Sequence, residues 1–135
     1  MSLHLSAPIP LAATHILDDF ACGEASLDEW LKRRALTNQL SGASRTFVVT
    51  DQEGRVYGYY AMAAGAVSHQ AAPSSVRRNM PDPIPVMVLA RLAVNHRAHG
   101  TKIGASLLQD AVRRAMSVFP GGQERVMVPP RVPVP

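Results

Sequence analysis

The chain has one cysteine in 135 residues, Cys22. A lone thiol cannot close an internal disulfide or assemble a thiolate cluster for zinc or iron and sulfur, and it fits a reducing, intracellular setting. No apolar run approaches the ~20 residues that span a bilayer. The first residues also lack the basic-then-apolar order of a secretory signal, so the reading is cytoplasmic, without a membrane role. Aromatics are scarce at 5%, one of them a single tryptophan, and charged residues make up only 18% against 47% apolar. That balance excludes wholesale disorder and fits one small domain able to bury roughly two-thirds of its unfolded surface.

Acidic residues are also missing where they would balance the basic ones. Residues 1–90 carry 7 basic and 8 acidic groups, whereas 91–135 carry 7 and 2. The net charge of +4 therefore sits in the second part, a distribution compatible with phosphate or RNA contacts and equally with plain solubility.

Residues 7–17, with Pro8 and Pro10, suit a short edge strand or an irregular lead-in. Ser26-Leu27-Asp28-Glu29 has the form of a capping box. The apolar spacing of Leu27, Trp30, Leu31 and Ala35 then predicts a helix over about 27–40, with Trp30 anchoring it. Arg45–Thr50 and the run from Val56 to Gly65, joined by Asp51-Gln52-Glu53-Gly54, read as a hairpin. Strict alternation would put Tyr57 and Tyr59 on one face and Tyr60 on the other. One short helix is allowed in 66–83 before Pro81, Pro83 and Pro85. Ile84 to Val94 is almost wholly apolar, as for a central strand buried on both faces. A second helix is expected over about 104–117, and a proline-rich tail, extended apart from a very short strand near Arg125–Val128, over 119–135. These elements make one domain, 1–118, of mixed α/β (α+β) class.

The unit that carries chemistry is strand, loop and helix: Met87–Val94, Asn95–Gly104, Ala105 onward. A helix start leaves about four amides without partners and adds partial positive charge. The small residues Gly100, Gly104 and Ala105 let an anion approach that backbone closely, as a pyrophosphate cradle would. Ordinary turn chemistry explains the same residues equally well. His69, His96 and His99 lack acidic or thiolate companions at ligand spacing, so no metal is expected. Cys22 has no base beside it and reads as a structural thiol.

Several separate blocks agree in order with one family. Phe20-Ala21-Cys22-Gly23, Ser26–Leu31, Ser44–Val49, Gly58-Tyr59-Tyr60-Ala61 and Pro83–Val94 together resemble the GNAT-fold acetyltransferase toxins of type II toxin-antitoxin systems. The resemblance covers about residues 5–117. It implies a twisted, mainly antiparallel sheet flanked by helices, and acetyl-CoA as acyl donor in a V-shaped opening beside the central strand. It implies transfer of the acetyl group to the α-amino group of aminoacyl-tRNA, blocking translation, with a ribbon-helix-helix antitoxin as partner and a homodimer as assembly. By the same resemblance, Leu92, Ala93 and Val94 hold the pantetheine and acetyl carbonyl, and His99, Gly100, Thr101, Lys102, Ile103, Gly104 and Ala105 hold the pyrophosphate. Arg45, Arg77, Arg78 and Arg91 are candidate contacts for tRNA phosphates, with Arg113 and Arg114 on the exposed side of the second helix; aromatic stacking of a base is an alternative role for one of the tyrosines.

Two departures accompany the match. The family's phosphate loop, Q/R-x-x-G-x-G/A, fits Arg97 to Thr101, but Lys102 fills the last, small position and is expected to weaken close approach. The family also continues into a further strand, a helix and a general-acid tyrosine, whereas the last tyrosine here is Tyr60. A shortened or altered C-terminal part and an unassigned catalytic acid are therefore expected. The alternatives are an inactive remnant that binds a partner, or an enzyme acting on a small amine.

Overall fold

The computed structural model describes residues 4–68, 70, 84–118 and 126–127. The segment allowed for a helix over 66–83 and the tail over 119–135 lie largely outside the described residues, as do Arg77 and Arg78. The strands are β1 (Ile9–Pro10), β2 (Arg45–Thr50), β3 (Val56–Val67), β4 (Ile84–Val94) and β5 (Val126–Met127). They form a sheet in sequence order, antiparallel except for a parallel β4–β5 pair. One face is covered by the helices α1 (Ala25–Arg33) and α2 (Ala35–Ser41), the other by α3 (Ile103–Val118).

The expected first helix is two helices. Arg34, at φ −121°, steps out of helical geometry, so the apolar face continues through a bend. The capping box does not form either. The helix starts at Ala25, which places Ser26 inside it, and Glu24 caps without a side-chain bond. Asp28 Oδ1 instead accepts the Cys22 amide (3.0 Å), and Glu29 pairs with Arg33 (2.8 Å).

The hairpin turn behaves as its residues dictate. Asp51 Oδ1 accepts the amides of Glu53 and Arg55, both at 2.9 Å, and Gly54 takes φ +88°. Beyond it the register shifts between Val49↔Gly58 and Thr50↔Val56, leaving Tyr57 as the bulged residue. This extra residue corrects the expected alternation. Tyr57 and Tyr60 share the α3 face, while Tyr59 lies on the α1–α2 face.

Both central tyrosines are wholly buried and tied by their hydroxyls. Tyr59 Oη donates to the Leu27 carbonyl (2.8 Å) and its ring is flanked by Phe20 and Trp30. Tyr60 Oη donates to Asp110 Oδ2 (2.6 Å), which also holds Arg114 Nε (2.7 Å). Arg114 lies 4.2 Å over the Phe47 ring and donates to the Pro8 carbonyl (3.1 Å). It is therefore part of a packed network rather than a free surface charge, because its i−4 neighbour Asp110 draws it back along the helix.

β3 brings α3 close through Gly58. A Cβ there would sit 3.0 Å from Leu107 Cδ1 and 3.2 Å from Ile103 Cγ2. Gly58→Ala should therefore push the start of α3 off the sheet and lower stability by about 1–3 kcal/mol, read as a reduced urea midpoint.

Candidate functional site

β4 is paired unequally on its two edges. Its ladder with β3 runs from Ile84 to Val94, with one register shift that leaves Ala90 unmatched between Leu89 and Arg91. On the other edge Met87 and Val88 pair with β5 among the described residues. Past that point the upper half of β4 has no described strand beside it. The Asn95 amide bonds the Tyr57 carbonyl (2.8 Å), so antiparallel alternation turns the backbone groups of Ala93 and Arg91 toward β3 and those of Leu92 and Val94 outward. Of the three residues expected to meet the pantetheine, Leu92 and Val94 thus present their peptide groups to the open edge. Ala93 spends its own on Tyr59.

The outward Val94 carbonyl accepts a hydrogen bond from His99 Nε2 (2.7 Å), which requires the proton on Nε2. This contact clips the loop to the strand. Upstream, Asn95 is buried; its Oδ1 accepts the Arg97 amide (3.0 Å), and His96 reaches the Ala21 carbonyl through its amide (2.9 Å) and its Nδ1 (2.8 Å). Both loop histidines are committed to backbone carbonyls, and no group of three possible metal ligands occurs among the described residues.

The loop then delivers the helix start. His99 and Thr101 donate their amides to His96 and Ala98 carbonyls, both at 3.3 Å, and the Thr101 hydroxyl also bonds the Ala98 carbonyl. The Lys102 carbonyl accepts the first bond of α3, from Ser106 (3.1 Å). Among the described residues, the amides of Gly100, Lys102, Ile103, Gly104 and Ala105 donate to no protein acceptor. They border a hollow of about 260 Å³ lined by Val94, Ala98, His99, Gly100 and Lys102 to Ala105. The residues that carry the five unspent donors thus lie around one small space at the positive end of a 16-residue helix. Unspent amides at a helix start favour an anion.

Two residues of this loop hold left-handed backbone, Gly100 at φ +82° and Lys102 at φ +66°. Gly100 adopts it freely, and a Cβ there would meet nothing within 4 Å. Lys102 pays a steric cost for the same conformation, which explains physically why the family pattern has a small residue at that position.

The remaining candidates are dispersed. Arg45 is exposed on the α3 side of the sheet, near Phe47 and Arg114, whereas Arg91 lies over Trp30 on the α1 side. The structure does not bring these two together. Arg113 is exposed on α3. The Tyr59 and Tyr60 hydroxyls are held protonated by burial, reinforced at Tyr60 by Asp110. Cys22 is likewise pushed up to about 11, chiefly by burial. All three therefore stay protonated at neutral pH, which disfavours a nucleophilic role.

Some of the site was not foreseen from the residues. The His99–Val94 clip has no signature in a sequence. The exposed run Lys32-Arg33-Arg34 at the end of α1 was hidden by counting charge over long segments, where nearby acidic residues cancel it; a shorter window finds it.

A tRNA-acetylating toxin of Mycobacterium tuberculosis (strain ATCC 25618 / H37Rv) is 49% identical to this chain over 111 residues, covering 82% of the chain and 66% of that protein. The chain belongs to the GNAT-fold acetyltransferase toxins. A probable toxin TacT of Sinorhizobium fredii (strain NBRC 101917 / NGR234) is 30% identical over 104 residues, covering 73% of the chain. The chain spans 66% and 56% of the lengths of these two relatives. Among solved structures, AtaT complexed with acetyl-methionyl-tRNAfMet superposes with a TM-score of 0.77 at 26% identity, covering 88% of this chain and 74% of that one. AtaTR bound with AcCoA gives 0.69 at 25%, covering 84% and 66%. No protein-family model matches the chain. The fold expected from the resemblance is the fold observed: an α+β sheet, mainly antiparallel, between helices.

Lys102→Gly should raise stability by about 0.5–1 kcal/mol, the relief of left-handed strain less the greater chain entropy of glycine, measured by chemical denaturation. No gain, or a loss, would show that the lysine side chain makes compensating contacts.

Proposed function

We propose that this chain is an N-acetyltransferase that takes its acyl group from acetyl-CoA and passes it to the α-amino group of an aminoacyl-tRNA, blocking translation. The observation that carries the reading is the set of five unspent amides beside the open edge of β4. The mycobacterial relative named for tRNA acetylation, and the solved relatives with AcCoA and with acetyl-methionyl-tRNAfMet, support both substrates.

When bound, acetyl-CoA supplies a thioester carbonyl open to attack by a neutral amine. The chain's part is to hold and polarise. Gly100 and Lys102–Ala105 bind the diphosphate through backbone N–H groups, and Leu92 and Val94 offer outward peptide groups along which an extended amide-bearing arm can pair. The outward Val94 N–H is the donor placed to stabilise negative charge growing on the acyl oxygen, and the bond from His99 to the carbonyl of the same residue helps hold Val94 in place. Neither Tyr59 nor Tyr60 is placed to protonate the departing thiolate, since both are buried and bonded.

An antitoxin of ribbon-helix-helix type, a homodimer and a cytoplasmic location complete the reading. The antitoxin is supported by a solved KacTA–DNA complex, a relative at 25% identity and TM-score 0.64. No described helix is long and apolar enough to cross a membrane.

Two outcomes test the proposal. Incubation with acetyl-CoA and aminoacyl-tRNA should yield N-acetylated aminoacyl-tRNA by mass spectrometry; a thermal shift with acetyl-CoA but no product favours the partner-binding remnant instead. Ala105→Asp places a carboxylate in the first turn of α3, where it favours the helix dipole by about 0.3–1 kcal/mol yet repels a diphosphate. This variant should keep or raise the melting temperature and weaken acetyl-CoA binding at least about tenfold. Unchanged affinity would place the donor elsewhere.

A further inference from the structure

Two arginines of this fold sit over aromatic rings, and they differ in what their donors do. Arg114, 4.2 Å over Phe47, spends its N–H groups on Asp110 and on the Pro8 carbonyl. Arg91 lies 4.4 Å over Trp30, and among the described residues it makes no ion pair and no side-chain hydrogen bond. It is half-buried. A guanidinium in that state keeps a rigid fork of five donors that no described protein acceptor engages.

Its support is firm. Trp30 stacks on Tyr59 at 6.0 Å with 14° between the rings, and Tyr59 is wholly buried and anchored to the Leu27 carbonyl. Arg91 is therefore held by a column of two rings, not by a flexible partner. It also directly precedes Leu92, whose peptide faces the open edge of β4, and it points to the opposite face of the sheet from α3 and the diphosphate hollow. The nearby end of α1 exposes Lys32, Arg33 and Arg34.

We infer that Arg91, presented on Trp30, is the acceptor-side anchor of the site and takes a backbone phosphate of the RNA whose aminoacyl end enters beside Leu92. The inference rests on the acetyl-transfer reading and assigns its second substrate to the α1 face. Arg91 positions the acceptor and takes no part in proton transfer. A planar fork matches two phosphate oxygens at once, and stacking fixes its direction before the RNA arrives. The α1 cluster adds long-range attraction on the same side.

The test measures binding of methionyl-tRNA and of acetyl-CoA separately, across a salt series, for the wild type, R91Q, R91K and Trp30→Leu. R91Q should weaken methionyl-tRNA binding roughly tenfold or more and reduce the salt slope by about one, with acetyl-CoA affinity and melting temperature unchanged. In turnover its KM for methionyl-tRNA should rise while kcat holds. R91K should recover the salt slope but not the full affinity, and Trp30→Leu should weaken tRNA binding while leaving that slope intact. Methionyl-tRNA binding by R91Q at the wild-type level would overturn the inference alone, and so would joint loss of melting temperature and acetyl-CoA affinity, the mark of a purely structural pin. A wild type that binds acetyl-CoA but no methionyl-tRNA overturns the acceptor reading itself, and this inference with it.

Discussion

The unequal pairing of β4 governs the rest of the molecule. One edge is laddered to β3 along its whole length and both faces are packed, by Tyr60, Leu92 and α3 on one side and by Tyr59, Ala93 and α1 on the other. On the second edge the ladder among the described residues is the pairing of Met87 and Val88 with β5. Backbone donors and acceptors held in so packed a strand must find partners, and above Val88 the described partner is a side chain, His99, on one carbonyl. The remaining outward groups of Leu92 and Val94 are the natural place for an extended ligand to add itself as a strand.

The helix start works with this edge because three contacts fix their relation. Gly58 allows Ile103 and Leu107 to approach β3 directly, Asn95 and His96 fasten the loop to the chain around Asp19–Ala21, and His99 clips the loop to Val94. The loop is thus held from its outer sides, and the residues of its unspent amides line the hollow.

The two arginine–aromatic stacks show how one interaction serves opposite ends. On the α3 face the stack closes a network from Tyr60 through Asp110 and Arg114 to Pro8, so every charge has a partner and the edge strand is tied down. On the α1 face the same geometry leaves the guanidinium with its hydrogen-bonding capacity intact. Packing alone accounts for the first arrangement. The second makes physical sense when an oxygen ligand is added.

Much of this was legible before folding. The β-branched and aromatic runs predicted β2 and β3, and the almost wholly apolar stretch from Ile84 to Val94 marked β4 as a strand covered on both faces. The spacing of Ile103, Leu107, Ala111 and Ala115 located α3 within a residue at each end, because periodicity is a property of the chain itself. Less was legible where one residue changes a count. The bulge at Tyr57 reversed the tyrosine faces, and Arg34 split the first helix, since both depend on packing against partners distant in sequence. Which amides stay unspent, which peptide of β4 faces outward, and which arginine keeps its donors free are relations between elements. Local sequence supplied the groups, but only the tertiary arrangement could decide their partners, because a hydrogen bond is satisfied or left open by what stands about 3 Å away and not by what precedes it in the chain.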